Sequence, residues 1–526
     1  MKKTMKQHSF TAQLKSLTFV FGIALAFTSC ANEDVAQNPT NPNDDNDKNL
    51  TTFVAGDEAK TRTSLDYNIS DFYWEAGDYI YVKDDDGVLR KSTNAPTSKV
   101  AAFKYKVPGK FTGNSYKVYY LGKNSSGNSV TISTAQSQTA PDNTEHFGTA
   151  GDYGTATATK VTGKNQFAFE LEHQPAYLVF QPYISNTVLH DCYLTKVEVS
   201  SDNDIAETYT VNTTTGALDA SAVTGGDKIV LTTSGSSSNP NGFPLTNSAA
   251  NVTTTGAYMV IKPGTHTLKV RYWVKDVATN VEGAITKTLP ATAYASNTYY
   301  DMTANLNVRN YDGDHYYMWD AQEQYWKGYE WTKHLAAGVG QPTLNGKRSS
   351  NYAQNSIDPN HRYYHEGTGS PFNATQSCAT LPNVNEMTWY AAYGEPRWDG
   401  DKLWTTMGHL YKGGMWFKKK SALLAEGHYN TEKSVDGTDW RTNGNSNTWP
   451  ASYTLPSAAD ANKYFYLPAL GYYDSGLLTN VGGGNYWSSS AYPWYGNSAY
   501  GLTFYSSGVH VDSYDRYYGF RAEAFQ

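Results

Sequence analysis

The stretch that decides the fold of the carboxyl-terminal part reads Leu467-Pro-Ala-Leu-Gly-Tyr-Tyr473, then Gly482-Gly-Gly-Asn-Tyr-Trp487-Ser-Ser-Ser-Ala491, and closes with Arg516-Tyr-Tyr-Gly519-Phe520-Arg521. Between Tyr492 and Tyr518 the residues are mostly Tyr, Ser, Gly, Asn and Asp. Tyr and Trp give large, rigid contact areas at low entropic cost, whereas Ser, Gly and Asn adapt their hydrogen bonds. The composition is typical of a recognition surface; a Tyr-rich β domain with plain loops is the alternative.

Eight residues of this segment are predicted to bind a ligand, because they fall in or beside expected loops and strand edges. They are Trp494, Tyr495, Asn497, Tyr505, His510, Asp512, Tyr514 and Tyr517. The apolar residues between them are expected to be packed beneath the surface as its scaffold. These are Trp487, Leu502, Phe504 and Phe520.

The same motifs resemble a C-type-lectin-like fold of a bacterial paralogous-domain family, which is also similar to the formylglycine-generating enzymes. Upstream, Cys378-Ala-Thr-Leu-Pro382-Asn-Val-Asn-Glu386-Met-Thr-Trp389 resembles the start of that fold's helix. Asn383 and Glu386 have the spacing of a capping box. The resemblance covers residues 309–526. It implies an α+β ligand-binding domain whose final segment carries the binding surface, and some members diversify that segment through retroelements.

Residues 51–308 show the alternation of apolar and polar residues that indicates half-buried β-strands. Examples are Phe103, Tyr105 and Val107, and further on Leu268, Val270, Tyr272 and Val274. Turn clusters such as Asp84-Asp-Asp-Gly87 separate the runs. Strands with one solvent-exposed face are typical of antiparallel β-sandwiches. The chain is therefore predicted to be mainly β.

Particular residues of this half resemble the fimbrillin family, the subunits of Bacteroidales (type V) pili. They are Thr61-Arg62-Thr63-Ser64, Phe72-Tyr-Trp74-Glu-Ala-Gly77-Asp78, Phe169-Glu-Leu-Glu-His173-Gln-Pro-Ala-Tyr177 and Thr298-Tyr-Tyr-Asp-Met-Thr303. The resemblance implies two tandem antiparallel β-sandwiches, assigned to residues 51–185 and 186–308, ahead of the lectin-like domain at 309–526. Trp74 and His173 are interpreted as core residues.

The amino-terminal segment reads as a bacterial lipoprotein signal. Lys2 and Lys3 precede an apolar run from Leu17 to Phe27, which is too short to span a membrane and ends in Thr28-Ser29-Cys30. The order resembles a lipobox, so residues 1–29 are predicted to be the signal peptide and Cys30 the lipidated residue. The acidic residues that follow Cys30, Glu33 and Asp34, resemble a surface-export signal. Residues 30–50 are predicted to be a disordered tether, and the protein an outer membrane lipoprotein exposed at the cell surface.

Composition narrows the functional classes. A net charge of −7 argues against a nucleic-acid partner. Beyond Cys30 only Cys192 and Cys378 remain, so no disulfide framework and no cysteine metal site is expected. The chemistry of the formylglycine-generating enzymes needs a redox-active cysteine pair, which this domain lacks. The chain is therefore predicted not to be an enzyme and to need no cofactor.

Calcium-dependent sugar binding is the next possibility that the resemblance raises. Lectins of this fold commonly carry Glu-Pro-Asn, whereas this chain has Glu395-Pro396-Arg397. Calcium takes six to eight oxygen ligands, and Arg397 supplies a positive charge instead. No metal site is therefore predicted.

The parts together predict a pilus tip adhesin. In the family, an arginine-specific protease removes the first strand and a neighbouring subunit fills the groove by β-strand addition, so Arg62 is the predicted processing site. The expected partners are other fimbrillin subunits, an unknown protein or glycan ligand, and the membrane through the lipid anchor. A surface glycan-binding lipoprotein that does not polymerise, a pilus anchor subunit and a remnant enzyme remain as alternatives.

Overall fold

The computed structural model describes residues 7–9, 49–56, 64–66, 71–123, 125–212, 214–215, 217–220, 226–311, 313–330, 348–368 and 372–526. They form two units. Unit 1 lies within Met1–Val274 and Ile285–Leu306, and unit 2 within Lys275–Ala284 and Asn307–Gln526. Cys30 and Arg62, the predicted lipidation and processing sites, lie outside the described residues. So do nearly all of the predicted signal peptide and tether.

The fold is mainly β, as the sequence predicted. Up to residue 305 the strands are β1 (Gln7–Ser9), β2 (Leu50–Ala55), β3 (Ser64–Asp66), β4 (Asp71–Tyr73), β5 (Ile80–Lys83), β6 (Leu89–Lys91), β7 (Phe103–Pro108), β8 (Ser115–Tyr120), β9 (Ser125–Ser126), β10 (Ser129–Thr131), β11 (Ala135–Ser137), β12 (Gly154–Lys160), β13 (Gln166–Phe169), β14 (Glu172–His173), β15 (Ala176–Tyr183), β16 (Cys192–Ser201), β17 (Thr208–Val211), β18 (Leu218–Ala220), β19 (Lys228–Thr232), β20 (Phe243–Pro244), β21 (Ala257–Ile261), β22 (Gly264–His266), β23 (Leu268–Asp276), β24 (Val281–Thr288), β25 (Thr292–Tyr294) and β26 (Thr298–Asn305). Two short helices accompany them, α1 (Phe147–Ala150) and α2 (Val252–Thr255).

The first sheet of unit 1 has the strand order β6-β5-β8-β12-β13-β2-β7, with β14 paired to β12. β2 lies between two neighbours, antiparallel to β7 and parallel to β13. Apolar residues alternate along its strands as the sequence predicted, and Phe53, Trp74, Tyr105 and Phe167 meet in one buried cluster. Fully burying an apolar side chain of this size contributes about 1.5–3 kcal/mol, so this cluster contributes strongly to the sheet's stability.

Two further large sheets of unit 1 have the orders β1-β26-β15-β21 and β11-β19-β16-β23-β24. Both sheets are mixed, because β26 runs parallel to β15 and β11 runs parallel to β19. Other strands form a four-stranded sheet, β18-β17-β10-β9, and the two-stranded pairs β3-β4 and β22-β25. His173, at the end of the first sheet, is buried as interpreted from the sequence, and its Nδ1 lies 3.0 Å from Asp152 Oδ1. Cys192, at the start of β16, is buried and takes part in no disulfide among the described residues.

Two glutamine side chains cover the outer edge of β21. Gln138 lies just beyond β11; its Oε1 accepts from Tyr258 N at 2.7 Å and its Nε2 donates to Gly256 O at 2.8 Å. Gln136, on β11, bonds Val260 in the same way. An edge strand with open N–H and C=O groups invites pairing with another chain. These amides occupy those groups and join β11 to the edge of the other sheet.

Beyond residue 305, unit 2 contains β27 (Arg309–Tyr311), β28 (Tyr316–Tyr317), β29 (Arg397–Thr406), β30 (His409–Lys418), β31 (Asn447–Pro450), β32 (Tyr464–Pro468), β33 (Tyr472–Asp474), β34 (Leu477–Thr479), β35 (Gly484–Ala491), β36 (Ser498–Tyr505), β37 (Gly508–Asp515) and β38 (Phe520–Arg521). Its helices are α3 (Val384–Tyr393), α4 (Lys420–Ala425), α5 (Trp440–Asn443) and a 3-10 turn at Ala461–Lys463. The larger sheet, here called the terminal sheet, has the order β28-β38-β35-β36-β37-β31; the smaller is β27-β29-β30-β32.

The predicted capping box starts the one long helix of unit 2. The side chain of Asn383 accepts from Glu386 N, and the Glu386 carboxylate accepts from Asn383 N. Behind this cap, α3 buries Met387, Tyr390 and Ala391 in a cluster that includes residues of β30 and of the terminal sheet. Among the described residues, no helix is long and apolar enough to cross a membrane.

Candidate ligand-binding site

The two faces of the terminal sheet differ. Along β36 and β37, Leu502, Phe504, Val509 and Val511 point to the core shared with α3 and are buried. Because side chains alternate along a strand, their neighbours lie on the opposite face. On that face Thr503 pairs with His510, Gly501 with Asp512 and Ala499 with Tyr514. The predicted residues of β37 therefore share one face, away from the core.

A cavity of about 190 Å³ opens on this face. Its aromatic lining consists of Tyr472, Tyr505, Tyr514 and Phe520. Its polar lining consists of Asn480, Asn485, Thr503 and His510. It is here called the terminal-sheet cavity, and it brings together three of the eight predicted binding residues, Tyr505, His510 and Tyr514.

Phe520 forms the floor of the terminal-sheet cavity. Its ring is 1% exposed and stacks on Trp487 with the ring centroids 4.3 Å apart. Tyr472 and Tyr514 each pack against Phe520 at 5.1 Å. Burial raises the pKa of Tyr472 to about 12 and also raises the pKa of Tyr514, so both phenols stay neutral hydrogen-bonding groups at physiological pH.

The walls hold their polar groups through a few hydrogen bonds. Asn480 donates to Tyr505 Oη at 3.2 Å, and the hydroxyls of Thr503 and Tyr514 lie 2.8 Å apart. His510 Nδ1 and Thr448 Oγ1 form a bond of 2.8 Å, which fixes the imidazole ring. A Cβ on Gly483 would lie 2.6 Å from the Tyr505 ring, so the bare backbone there sets the position of this tyrosine.

Asn485 lies at the base of the cavity, and its amide makes fewer hydrogen bonds than it could. The residue is 2% exposed. Within the described part of the chain its amide makes a single long contact, from Nδ2 to Gly483 O at 3.5 Å. A primary amide can donate two hydrogen bonds and accept two, and buried amides normally find partners. The terminal-sheet cavity therefore presents an unmet donor and acceptor at its base.

Three other predicted residues lie in the loop 492–497, between β35 and β36. Trp494 and Tyr495 are each 61% exposed. Trp494 covers Gly444, where a Cβ would lie 2.7 Å from the indole, and Tyr495 stacks on Tyr492 at 5.7 Å. Asn497 is exposed and its carbonyl accepts from Arg516 N at 2.9 Å. β36 starts here, and Thr503, its first residue to line the cavity, lies about 17 Å further along the strand, at roughly 3.3 Å per residue. The loop is a separate exposed patch.

The last two predicted residues lie outside the cavity lining. Asp512 is exposed on β37, on the same face as His510 and Tyr514. Tyr517 is 37% exposed in the turn before β38 and packs on Tyr518 at 4.8 Å. The structure thus distributes the eight predicted residues over a cavity, a loop and two flanking positions.

The Arg516-to-Arg521 motif anchors this turn. Arg516 is 2% exposed, donates to Ser498 O at 3.1 Å and to His365 O at 3.1 Å, and lies over the Trp319 ring at 4.4 Å. Burial lowers the pKa of Arg516 to about 10. A Cβ on Gly519 would lie 2.6 Å from the Tyr325 ring. Arg516 and Gly519 are therefore structural, and they fix the floor residue Phe520.

Four lining residues were missed in the sequence: Tyr472, Asn480, Asn485 and Thr503. Tyr472 and Asn485 belong to the quoted motifs, but the sequence analysis assigned them no role. The sequence could have indicated Thr503, because it lies two residues before Tyr505 and therefore on the same face of the predicted strand. Nothing local marks Asn480, which reaches the cavity through the turn that follows β34.

The lectin-like tripeptide holds a carboxylate that cations already surround. Lys418 Nζ lies 2.5 Å from Glu395 Oε1, and Arg397 donates to Oε2 at 2.6 Å. The hydrogen bond from Lys418 lowers the pKa of Glu395 to about 2, and those from Tyr464 and Arg397 add to it. A cation would meet two positive charges here. Among the described residues, no group of three His, Cys, Asp or Glu side chains is arranged to hold a metal ion.

Cys378 is buried and unreactive in its setting. Its sulfur accepts from Asp320 N at 3.3 Å, and its own N–H donates to Asp320 Oδ1 at 3.1 Å. Burial raises the pKa of the thiol to about 12. Because the thiolate is the nucleophile and metal ligand, this thiol is poorly suited to either role.

No family model and no curated protein matches the chain. A Bacteroides ovatus structure provisionally described as a cell adhesion protein is 12% identical, with a TM-score of 0.30, and the match covers 49% of this chain and 92% of that one. A similarly described structure from Bacteroides uniformis is 19% identical, with a TM-score of 0.29, covering 49% and 93%. A fimbrial protein from Bacteroides ovatus is 12% identical, with a TM-score of 0.23, covering 90% and 99%. Similarities this low assign no function by themselves.

Proposed function

We propose that the chain is a fimbrillin-type subunit at the tip of a surface fimbrium, where it attaches the cell to a ligand. In this proposal it is exported as an outer membrane lipoprotein through Cys30 and processed after Arg62. It then joins the next subunit by strand addition. Its terminal sheet carries the binding surface.

The position of β2 is the observation that carries the proposal. β2 pairs on one edge with β7, from Leu50↔Pro108 to Ala55↔Phe103, and on the other with β13. Arg62 follows it in the sequence. Cleavage after Arg62 would release a strand from inside the sheet. The slot left behind would expose hydrogen-bonding groups of both neighbours, which is the arrangement that strand addition needs.

The side chains of β2 suit such a slot. Thr51, Phe53 and Ala55 are buried, and the residues between them are partly exposed. Phe53 stacks on Phe167 at 5.0 Å and meets Phe111 edge-on at 5.1 Å. An incoming strand with a large apolar residue at the matching position would refill this part of the core. Main-chain hydrogen bonds would give affinity, and the pocket that Phe53 occupies would give specificity.

A peptide-complementation experiment tests the slot. A chain starting at residue 63 should melt well below a chain starting at residue 31, because it lacks the Phe53 side chain, and core Phe deletions cost about 3–5 kcal/mol. A synthetic peptide of residues 49–56 should restore the melting temperature. The same peptide with Phe53→Lys is the matched control and should not. Equal melting of the two chains, or equal rescue by both peptides, would contradict the proposal.

Sequencing the amino terminus of subunits in purified fimbriae tests the processing. A start at residue 63 supports assembly after cleavage. Absence of the chain from the fimbriae, with a protein starting at Cys30 in the outer membrane fraction, would favour the lipoprotein that does not polymerise or the anchor subunit.

The attachment half of the proposal rests on the terminal sheet. The cavity and the loop 492–497 together expose aromatic rings and amides, the residue types that dominate recognition surfaces. Cells producing the wild-type chain should attach to their target surface, and cells producing a chain that ends at residue 306 should not. Undiminished attachment without residues 307–526 would overturn this half alone.

A further inference from the structure

We propose that the terminal-sheet cavity binds one neutral sugar residue of a glycan, and that it does so without a metal ion. This inference rests on the proposed attachment function and names the ligand class of the same site. It concerns the cavity and excludes the loop 492–497.

The aromatic residues give the first reason. Phe520 closes the floor, and Tyr472 and Tyr514 pack against it from two sides. Tyr505 stands at the rim, 37% exposed. Flat apolar surfaces of this kind bury the C–H faces of a pyranose ring, while the phenol groups remain available for hydrogen bonds. A volume of about 190 Å³ is below that of a drug-sized pocket, so it suits a single ring at the end of a chain.

The unmet amide of Asn485 gives the second reason. The residue is 2% exposed, yet its amide has only the 3.5 Å contact to Gly483 within the described residues. Because the amide faces the cavity, its second N–H and its oxygen are open to a ligand there. A sugar hydroxyl can accept from the amide nitrogen and donate to the amide oxygen. The cavity thus has a ready partner for adjacent hydroxyls at its base.

The charge of the lining gives the third reason. Among the described residues that line the cavity, none is Lys, Arg, Asp or Glu. A phosphate, sulfate or carboxylate would have no cation to pair with, and it would face Asp512 on the same surface of β37. Desolvating an unpaired charge is costly. The lining therefore favours an uncharged ligand.

The donor atoms also argue against calcium at the cavity. Its polar groups are two amides, hydroxyls and one imidazole, and no carboxylate is among them. Calcium sites use six to eight oxygens, with carboxylates prominent. The sugar hydroxyls would instead meet amide and hydroxyl groups directly.

The inference is tested with the chain starting at residue 31, by saturation-transfer NMR and titration. The probes are the methyl glycosides of glucose, galactose, mannose and N-acetylglucosamine, each at roughly 10 mM, which saturates a site of millimolar affinity. At least one should bind, equally well with and without EDTA. Glucuronic acid and N-acetylneuraminic acid are the charged counterparts and should bind more weakly or not at all.

Two variants locate the site. Asn485→Ala should weaken binding of the best neutral glycoside at least tenfold with little change in melting, because its amide holds no strong bond in the protein. Asn462→Ala, at an exposed position in the 3-10 turn Ala461–Lys463, is the matched control and should leave binding unchanged. Undiminished affinity in Asn485→Ala, or an equal loss in Asn462→Ala, would overturn the inference.

Three other results would also overturn the inference: no binding of any of the four neutral glycosides, tighter binding of the charged sugars, or loss of binding in EDTA. Cell attachment separates this failure from a failure of the proposed function. If cells still attach after periodate destroys the glycans of the target surface, the attachment function stands and the sugar inference falls.

Discussion

Gln136 pairs with Val260 as a neighbouring peptide would: Nε2 donates to Val260 O at 2.7 Å, and Oε1 accepts from Val260 N at 3.0 Å. Gln136 is 4% exposed and Val260 is fully buried. One side chain therefore substitutes for a strand at an edge that would otherwise be open. Its effect is both stabilising and protective, since unpaired edges template aggregation.

Gln136→Leu should destabilise unit 1 by at least about 2 kcal/mol, because it leaves the N–H and C=O of buried Val260 without partners. Urea denaturation followed by circular dichroism measures the change. Gln174→Leu, at a partly exposed position in the same unit, is the control and should stay within about 0.5 kcal/mol. Equal stability of the two variants would show that Gln136 does not substitute for a strand.

Aromatic truncations in the terminal segment should separate into three grades. Trp487→Ala should cost about 3–5 kcal/mol, because Trp487 is fully buried. Tyr495→Ala should stay within about 0.5 kcal/mol, because the ring is 61% exposed. Tyr514→Ala should fall between them, since its ring packs on Phe520 and its hydroxyl bonds Thr503. Thermal melting of the three variants checks the order, and a Tyr495→Ala loss as large as that of Trp487→Ala would refute it.

Cys378 should resist thiol reagents in the folded protein. Burial raises its pKa to about 12, so at about pH 8 almost none of the reactive thiolate is present. In a chain starting at residue 31, a coloured disulfide reagent should react slowly before and rapidly after addition of denaturant. A Cys192→Ala variant isolates the signal of Cys378. Fast labelling of the native variant would contradict the assignment.

The Glu395 cluster should make unit 2 sensitive to acid. Its pKa in the folded protein, about 2, lies below the ordinary value of 4.5. The stabilisation from Glu395 is therefore present above about pH 4.5 and disappears as the pH falls towards 2. The stability difference between wild type and Glu395→Gln should thus be largest near neutral pH and shrink between those values. Glu366→Gln, at an exposed carboxylate, is the control. A stability difference between wild type and Glu395→Gln that grows as the pH falls would contradict the prediction.

Local patterns in the sequence predicted the strands and the long helix well. The alternation of Phe103, Tyr105 and Val107 with lysines predicts a strand with one buried face. In β7 these three side chains are buried and the residues between them are not. The Asn383–Glu386 capping box is equally local and starts α3. The pairing of strands that are distant in sequence was not predictable. Nothing near β2 or β13 in the sequence indicates that the two run parallel.

The candidate site was predicted in part, for a physical reason. Exposed aromatic residues such as Trp494 and Tyr495 stand out by composition alone. The base of the cavity depends on burial, and burial is a property of the packed sheet. Asn485 reads as a motif residue in the sequence. Its position at the base of the cavity appears only once Tyr472, Tyr505 and Tyr514 are packed around it.

The placement of β2 also has a kinetic consequence. β2 can pair with β7 early, but its other edge stays open, because Thr52 pairs there with Gln166 in a far later part of the chain. Contacts between distant residues slow folding, because the loop between them must close before the pairing is rewarded. The folding sheet would therefore pass through a stage in which the edge of β2 that faces β13 is unpaired. An open strand edge favours self-association, so rapid docking of β13 would protect the folding chain.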